Sequence, residues 1–149
     1  MESHIPDELY KTIIQNLPIV CVDVIVRRGS HVLLVRRANE PLRGAWWIPG
    51  GRVMLFENTK DAAQRKVFLE TGLTLHEAQF VGFYEEIYDT SAFKVPCHTI
   101  SIVYEGDGLG DVKPNEEVLE WAWDKYLPER FVSRFYGNRK RPAVSKEKF

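Results

Sequence analysis

Three arginines, two adjacent glycines and a few carboxylates hold most of the chemistry open to this sequence. Arg37 and Arg52 flank the pair Gly50-Gly51, and Arg65 stands further along the same stretch. Guanidinium groups stay charged and offer planar forks that match phosphate oxygens. Glycine lets backbone approach a ligand closely, so the grouping reads as a clamp for a phosphate-bearing molecule. Fixed positive charge beside a departing diphosphate lowers the barrier to its departure. Arg52 and Arg37 are the leading candidates, and Arg65 is expected to divide its duty between phosphate and bracing Glu57 or Glu70. Asp23 interrupts the apolar run 19–26. A carboxylate is costly to bury unpaired, so Asp23 is expected to face a cavity, where an arginine or a sugar hydroxyl meets it. Lys66 precedes Glu70 by one helical turn, a spacing that lets the ammonium pair with the carboxylate.

The elements that must hold these residues can be read from periodicity. Leu9, Tyr10, Ile13, Ile14 and Leu17 recur at helical spacing between Pro6 and Pro18, which predicts a short amphipathic helix. Aliphatic and β-branched residues dominate 19–26 and 32–35, separated by Arg28-Gly29-Ser30, and predict a hairpin. The Gly/Pro/Trp-rich segment 44–51 leads to a helix opened by Asn58, Thr59 and Asp61 and closed by Gly72. Strands are predicted at 80–88, 99–104 and 119–123, a flexible loop at 105–110, and a closing helix at 128–136. Strands on both sides of a central helix, without strict alternation, imply an α/β chain whose mixed sheet is covered by helices on its faces.

Composition sets the outer limits. The chain has 149 residues, 44% of them apolar, and a net charge of −1. That length suits a single domain spanning 1–149 with a real core. No apolar run approaches the ~20 residues of a membrane span and no signal-peptide pattern opens the chain, so a cytoplasmic protein without a membrane partner is expected. Residues 129–149 hold seven Lys/Arg against two Asp/Glu, leaving the remainder acidic. The basic tail, about 138–149, reads as a solvated terminus, and no nucleic-acid partner is expected. Cys21 and Cys97 read as small buried hydrophobes, and the four tryptophans chiefly as core. His98 is the one histidine placed where it could point into a cleft, though a structural role is the commoner one.

The stretch from Gly51 to Leu73 resembles the box that defines the Nudix hydrolases, matching it at Gly51, Glu57, Arg65, Val67, Glu70, Gly72 and Leu73 with the spacing intact. The resemblance implies a Nudix-type α/β/α sandwich whose loop and helix bind Mg2+ against a diphosphate. Lys66 and Leu69 stand where the family usually has metal-binding glutamates, so one Mg2+ is expected rather than a cluster. A branch with a similarly reduced box is the GDP-mannose mannosyl hydrolases. The likeness to it continues through Leu17-Pro18-Ile19-Val20, Asp23, Val32-Leu33-Leu34, Arg37, Asn39, Pro41 and residues 44–53. By that resemblance the metal ligands are Glu70, the Gly50 carbonyl and Glu117. Arg37, Arg52, Arg65 and Glu117 serve catalysis, and Asp23, Arg37 and Arg52 bind substrate. Glu57 pairs with Arg65 instead of the metal. The branch's water-activating histidine falls on Val118, and another family histidine on Glu86. Glu116, Glu117 or Glu86 would then have to act as base. The resulting expectation is a Mg2+-dependent hydrolase of a nucleotide sugar of the GDP-mannose kind, releasing sugar and nucleoside diphosphate. Its alternatives are a pyrophosphohydrolase that attacks phosphorus, or a nucleotide-sugar-binding module with little turnover. A homodimer is implied by family likeness alone.

Overall fold

The computed structural model describes residues 4–137, so the expected basic tail at 138–149 lies outside the described residues. Ten elements follow in the order α1 (Asp7–Asn16), β1 (Ile19–Arg28), β2 (His31–Arg37), β3 (Trp46–Trp47), β4 (Gly50–Arg52), α2 (Thr59–Thr71), β5 (Thr74–Tyr88), β6 (Cys97–Leu109), β7 (Val118–Asp124) and α3 (Glu129–Phe135). The strands form one sheet ordered β3-β2-β1-β6-β5, with β4 paired to β1 and β7 to β2. The β1–β6 ladder is parallel and the others are antiparallel, which makes the sheet mixed.

Alternation along β1 decides what each face buries. Val22, Val24 and Val26 point to α2 and pack with Ala62, Ala63, Val67 and Leu73. Ile25 points to the opposite face, where Trp47, Tyr84, Val103, Phe131 and Phe135 close a second core beneath α3. α1 covers the end of that face, seating Ile14 against Ile19 and Cys97. The result is a sheet between helices, the α/β/α arrangement expected. No helix among the described residues is long and apolar enough to cross a membrane.

Helix α2 has clear local causes. The Asn58 side chain accepts from the Asp61 amide at 2.9 Å, satisfying one of the free donors of the first turn. Gly72 ends the helix in the left-handed region at φ 75° and returns its amide to the Phe68 carbonyl, a termination that favours glycine. Between these caps the helix buries Lys66 and Glu70 among its small apolar residues, an unusual load for an inward face.

Two expectations fail on the edge hairpin. Residues 105–110 are not a loop, since β6 runs on to Leu109. Gly106 and Gly108 are there for close approach: a Cβ at 106 would stand 2.8 Å from the His76 carbonyl oxygen, and one at 108 would stand 2.6 Å from Val26 Cγ1. The Arg28 guanidinium donates to the carbonyls of Gly108 and Gly110 at 2.8 and 2.7 Å, holding the strand end. The other failure is the start of β5, which begins at Thr74 and not near Phe80. Register shifts at His76/Gln79 and Phe80/Gly82 break the two-residue period there.

The sheet is split where the site lies. β1 and β2 pair only at Arg27↔Val32 and Arg28↔His31 and then part. β4 lies against β1 in the gap, with Asp23 opposite Gly50 and Cys21 opposite Arg52.

Candidate active site

A cavity of about 670 Å3 opens at this split, within the size range of small-molecule sites. β1 contributes Cys21 and Asp23 to its wall, β2 Arg37, β4 Gly50, Gly51 and Arg52, α2 Lys66 and Glu70, and the loop before β7 Glu117. Residues far apart in sequence thus face one space.

The loop carrying Glu117 is tied down by backbone hydrogen bonds. Lys113 donates to the Thr71 carbonyl at 2.7 Å, Asn115 to the Glu70 carbonyl at 3.1 Å, and Ala38 to the Glu117 carbonyl at 3.1 Å. The Asn115 side chain also accepts from the Glu117 amide at 2.9 Å. Glu117 therefore meets Glu70 across a single cation: Lys66 Nζ stands 3.5 Å from Glu70 Oε1 and 3.2 Å from Glu117 Oε2. The remaining Glu70 oxygen accepts from the Gly50 amide at 3.2 Å. Burial pushes the Glu70 carboxyl up to about 8; Lys66 opposes that rise, and the nearby Glu117 carboxylate adds to it.

A second brace fixes the loop between β4 and α2. Arg65 Nε donates to Glu57 Oε2 at 2.7 Å and Nη2 to Glu57 Oε1 at 3.0 Å and to the Arg52 carbonyl at 2.9 Å. Glu57 also accepts from the Met54 amide at 3.1 Å. The Arg65 hydrogen bonds hold the Glu57 carboxyl below its ordinary range. With its backbone held this way, Arg52 projects to the cavity and lies over the Tyr10 ring at 5.5 Å. Arg37 Nε donates to the Pro41 carbonyl at 2.7 Å.

The floor is Asp23. It accepts from the Tyr84 hydroxyl, with Ser101 and Trp47 as further hydrogen-bond partners and Arg37 as a nearby positive charge. Burial outweighs these and pushes its carboxyl up to about 6. Cys21 is pushed up to about 12, by burial first and by Asp23 second, so it is a protonated thiol at neutral pH and no nucleophile. Both cysteines are free.

The cavity brings two arginines and a glycine backbone together with several carboxylates, a lining that offers guanidinium forks to phosphate oxygens and carboxylates to a cation. A NUDIX domain model matches residues 17–131. The chain belongs to the Nudix family. Low-salt glycan biosynthesis protein Agl8 of Haloferax volcanii is 40% identical over 89 residues, covering 60% of this chain and 57% of that protein. ADP-ribose pyrophosphatase of Methanocaldococcus jannaschii is 33% identical over 104 residues, covering 69% of this chain and 59% of that protein. The chain thus spans under two-thirds of the length of these relatives. The crystal structure of the MutT NUDIX hydrolase from Burkholderia pseudomallei superposes with a TM-score of 0.67 at 22% identity, over 89% of this chain and 96% of that one, a likeness of fold.

Within this Nudix chain the residues singled out from sequence fall into three groups. Arg37, Arg52, Gly50, Glu70, Glu117 and Asp23 all line the cavity. Arg65 stands outside the lining, engaged with Glu57 and the Arg52 carbonyl. Glu86, Glu116 and His98 are also outside it. Glu86 is buried against Arg130 and Arg134, and His98 faces Glu85 at 3.0 Å. Glu86 is therefore not placed to activate water in this cavity. Sequence reasoning missed the contact between Lys66 and Glu117, the role of Tyr84 beneath Asp23, and the aromatic wall of Tyr10, Tyr88 and Phe93. None of these carries a local sequence signal, because each partner arrives from a distant segment.

The donor set can be tested for a metal. Among the described residues no group of three or more His, Cys, Asp or Glu side chains converges as a metal site. Two carboxyl groups do converge on one cation position, where the Gly50 amide donates to Glu70. The chemistry fits one hard cation bound by oxygen.

Proposed function

We propose that this chain hydrolyses a nucleoside diphosphate derivative, a nucleotide sugar of the GDP-mannose kind, with one Mg2+. The observation that carries this is the convergence of Arg37 and Arg52 with Glu70 and Glu117 on one cavity, beside the closely approaching Gly50-Gly51 backbone. Held by Glu70, Glu117 and the Gly50 carbonyl, Mg2+ would neutralise charge gathering on the departing diphosphate. Arg37 and Arg52 grip its oxygens. Asp23, ionised above pH 6, accepts a sugar hydroxyl. Glu117, the more exposed of the two paired carboxylates, takes a proton from water as its oxygen bonds to the anomeric carbon. The carbon–oxygen bond to phosphate breaks and nucleoside diphosphate leaves with the electron pair. The branch likeness outside the box, Asp23 included, supports attack at carbon.

The 33% identical ADP-ribose pyrophosphatase favours a second reading in which water attacks phosphorus. Incubation with nucleotide sugars, ADP-ribose and Mg2+ separates the two. GDP and free mannose establish the first, GMP and mannose phosphate or AMP and ribose phosphate the second. Glu70→Gln is expected to lower turnover at least 100-fold. Undiminished, metal-dependent turnover in that variant overturns the site assignment.

A further inference from the structure

Lys66 is the residue that the proposed reaction leaves without a task. Its ammonium is fixed: the side chain is 5% exposed, bridges Glu70 and Glu117, and lies so close over Gly51 that a Cβ there would stand 2.4 Å from Lys66 Cε. It also lines the cavity, on the side of the Gly50-Gly51 turn. Two carboxylates that share a buried space repel unless a cation lies between them. In this fold the chain supplies that cation itself. The carboxylate oxygens it engages are among those a divalent ion would need, and two cations held this close repel. Lys66 already lines the cavity beside the Gly50-Gly51 turn, so its ammonium is within the space a phosphate group would occupy, and lysine is a common phosphate partner.

We infer that Lys66 is a resident cation that competes with divalent metal for Glu70 and Glu117 and supplies positive charge to a bound diphosphate when metal is absent. The competition stands on the geometry alone; the second half rests on the cavity being a diphosphate site. Binding of Mn2+ to the nucleotide-free protein, followed by calorimetry, tests the competition in the wild type, Lys66→Met and Lys66→Arg. Lys66→Met is expected to bind Mn2+ at least tenfold more tightly, and Lys66→Arg no more tightly than wild type. Equal or weaker Mn2+ binding by a folded Lys66→Met overturns the inference. Should that variant fail to fold, the wild type still decides: the lysine Cε carbon NMR signal assigned through Lys66→Arg must shift on saturation with Mg2+, and an unmoved signal is a refutation. Binding of GDP and ADP in EDTA tests the second half. Wild type and Lys66→Arg should bind one of the two, and Lys66→Met at least tenfold more weakly. Equal binding by Lys66→Met refutes the phosphate contact. Failure of both nucleotides to bind any of the three proteins, with or without Mg2+, refutes the diphosphate reading itself and leaves the Mn2+ comparison standing.

Discussion

Asp23→Asn isolates the one carboxylate that the fold places under the cavity floor, and its effect on stability should depend on pH in a defined direction. Burial raises the Asp23 carboxyl from an ordinary 3.8 to about 6, so the folded chain holds this proton more tightly than the unfolded chain does. Well below pH 3.8 the group is protonated in both states and the cost of burying its charge is absent. As pH rises toward 6 the unfolded chain releases the proton first, and stability is lost until the folded carboxyl has also ionised. The gap corresponds to ~3 kcal/mol at about 1.4 kcal/mol per pH unit, and the side chain is too well buried for solvent screening to reduce it much. Asparagine keeps the shape and an oxygen for the Tyr84 hydroxyl but cannot ionise. Its own hydrogen-bond mismatch with Ser101 and Trp47 adds an offset that does not vary with pH. Urea unfolding of both proteins between pH 3.5 and 7.5 reads the difference. With a urea slope of about 2 kcal/mol/M, the midpoint of Asp23→Asn should gain ~1.5 M on the wild type from the acid to the neutral end. Glu70, also raised, is common to both proteins and cancels. Midpoints that move in parallel, or that diverge the other way, would show that Asp23 is not a charge buried at a cost.

Three further substitutions test the scaffold. Arg65→Met removes the hydrogen bonds to Glu57 and the Arg52 carbonyl and should cost about 1–2 kcal/mol, more than an exposed ion pair. Because Glu57 is lowered in the folded chain, the deficit should be full at pH 7 and shrink as pH falls below 4.5, seen as converging thermal midpoints. Phe131→Ala empties a fully buried position between Trp47, Tyr84 and Phe135. It should cost about 3–5 kcal/mol, lowering the melting temperature by roughly 2–4 °C per kcal/mol; a change under 1 kcal/mol by urea unfolding would contradict the packing described. Gly108→Ala should cost about 1–3 kcal/mol through the clash with Val26, whereas a true flexible loop would accept alanine without loss in the same assay.

The legible parts of this fold are those whose causes lie within a turn or two of chain. The Asn58 cap and the Gly72 stop bound α2 within a residue of the expected limits. The pairing of Lys66 with Glu70 followed from their spacing, that of Glu57 with Arg65 from the family resemblance, and both were found. The illegible parts have remote causes. Gly106 and Gly108 carry the composition of a flexible loop, yet β5 and β1 press on them from residues 76 and 26, and nothing local reveals that pressure. The register shifts in β5 erase its alternation over the very residues that a period-two reading would need.

The same distinction separates what could be foreseen of the site from what could not. Spacing alone brings Lys66 to Glu70, and an ammonium with one carboxylate partner is an ordinary helix pair. What changes its meaning is Glu117, whose loop is fastened to the end of α2 through Thr71 and Glu70 carbonyls. Those two backbone bonds place a second carboxyl group on the same ammonium, and the pair becomes a three-residue cluster in the cavity wall. The chain has Lys66 and Leu69 at two box positions where the family usually supplies acids, and the fold returns one carboxylate from the far loop. A position that accepts two carboxylates and one cation is thereby kept. Whether that cation is carried by the chain or taken from solution depends on how strongly Lys66 holds Glu70 and Glu117.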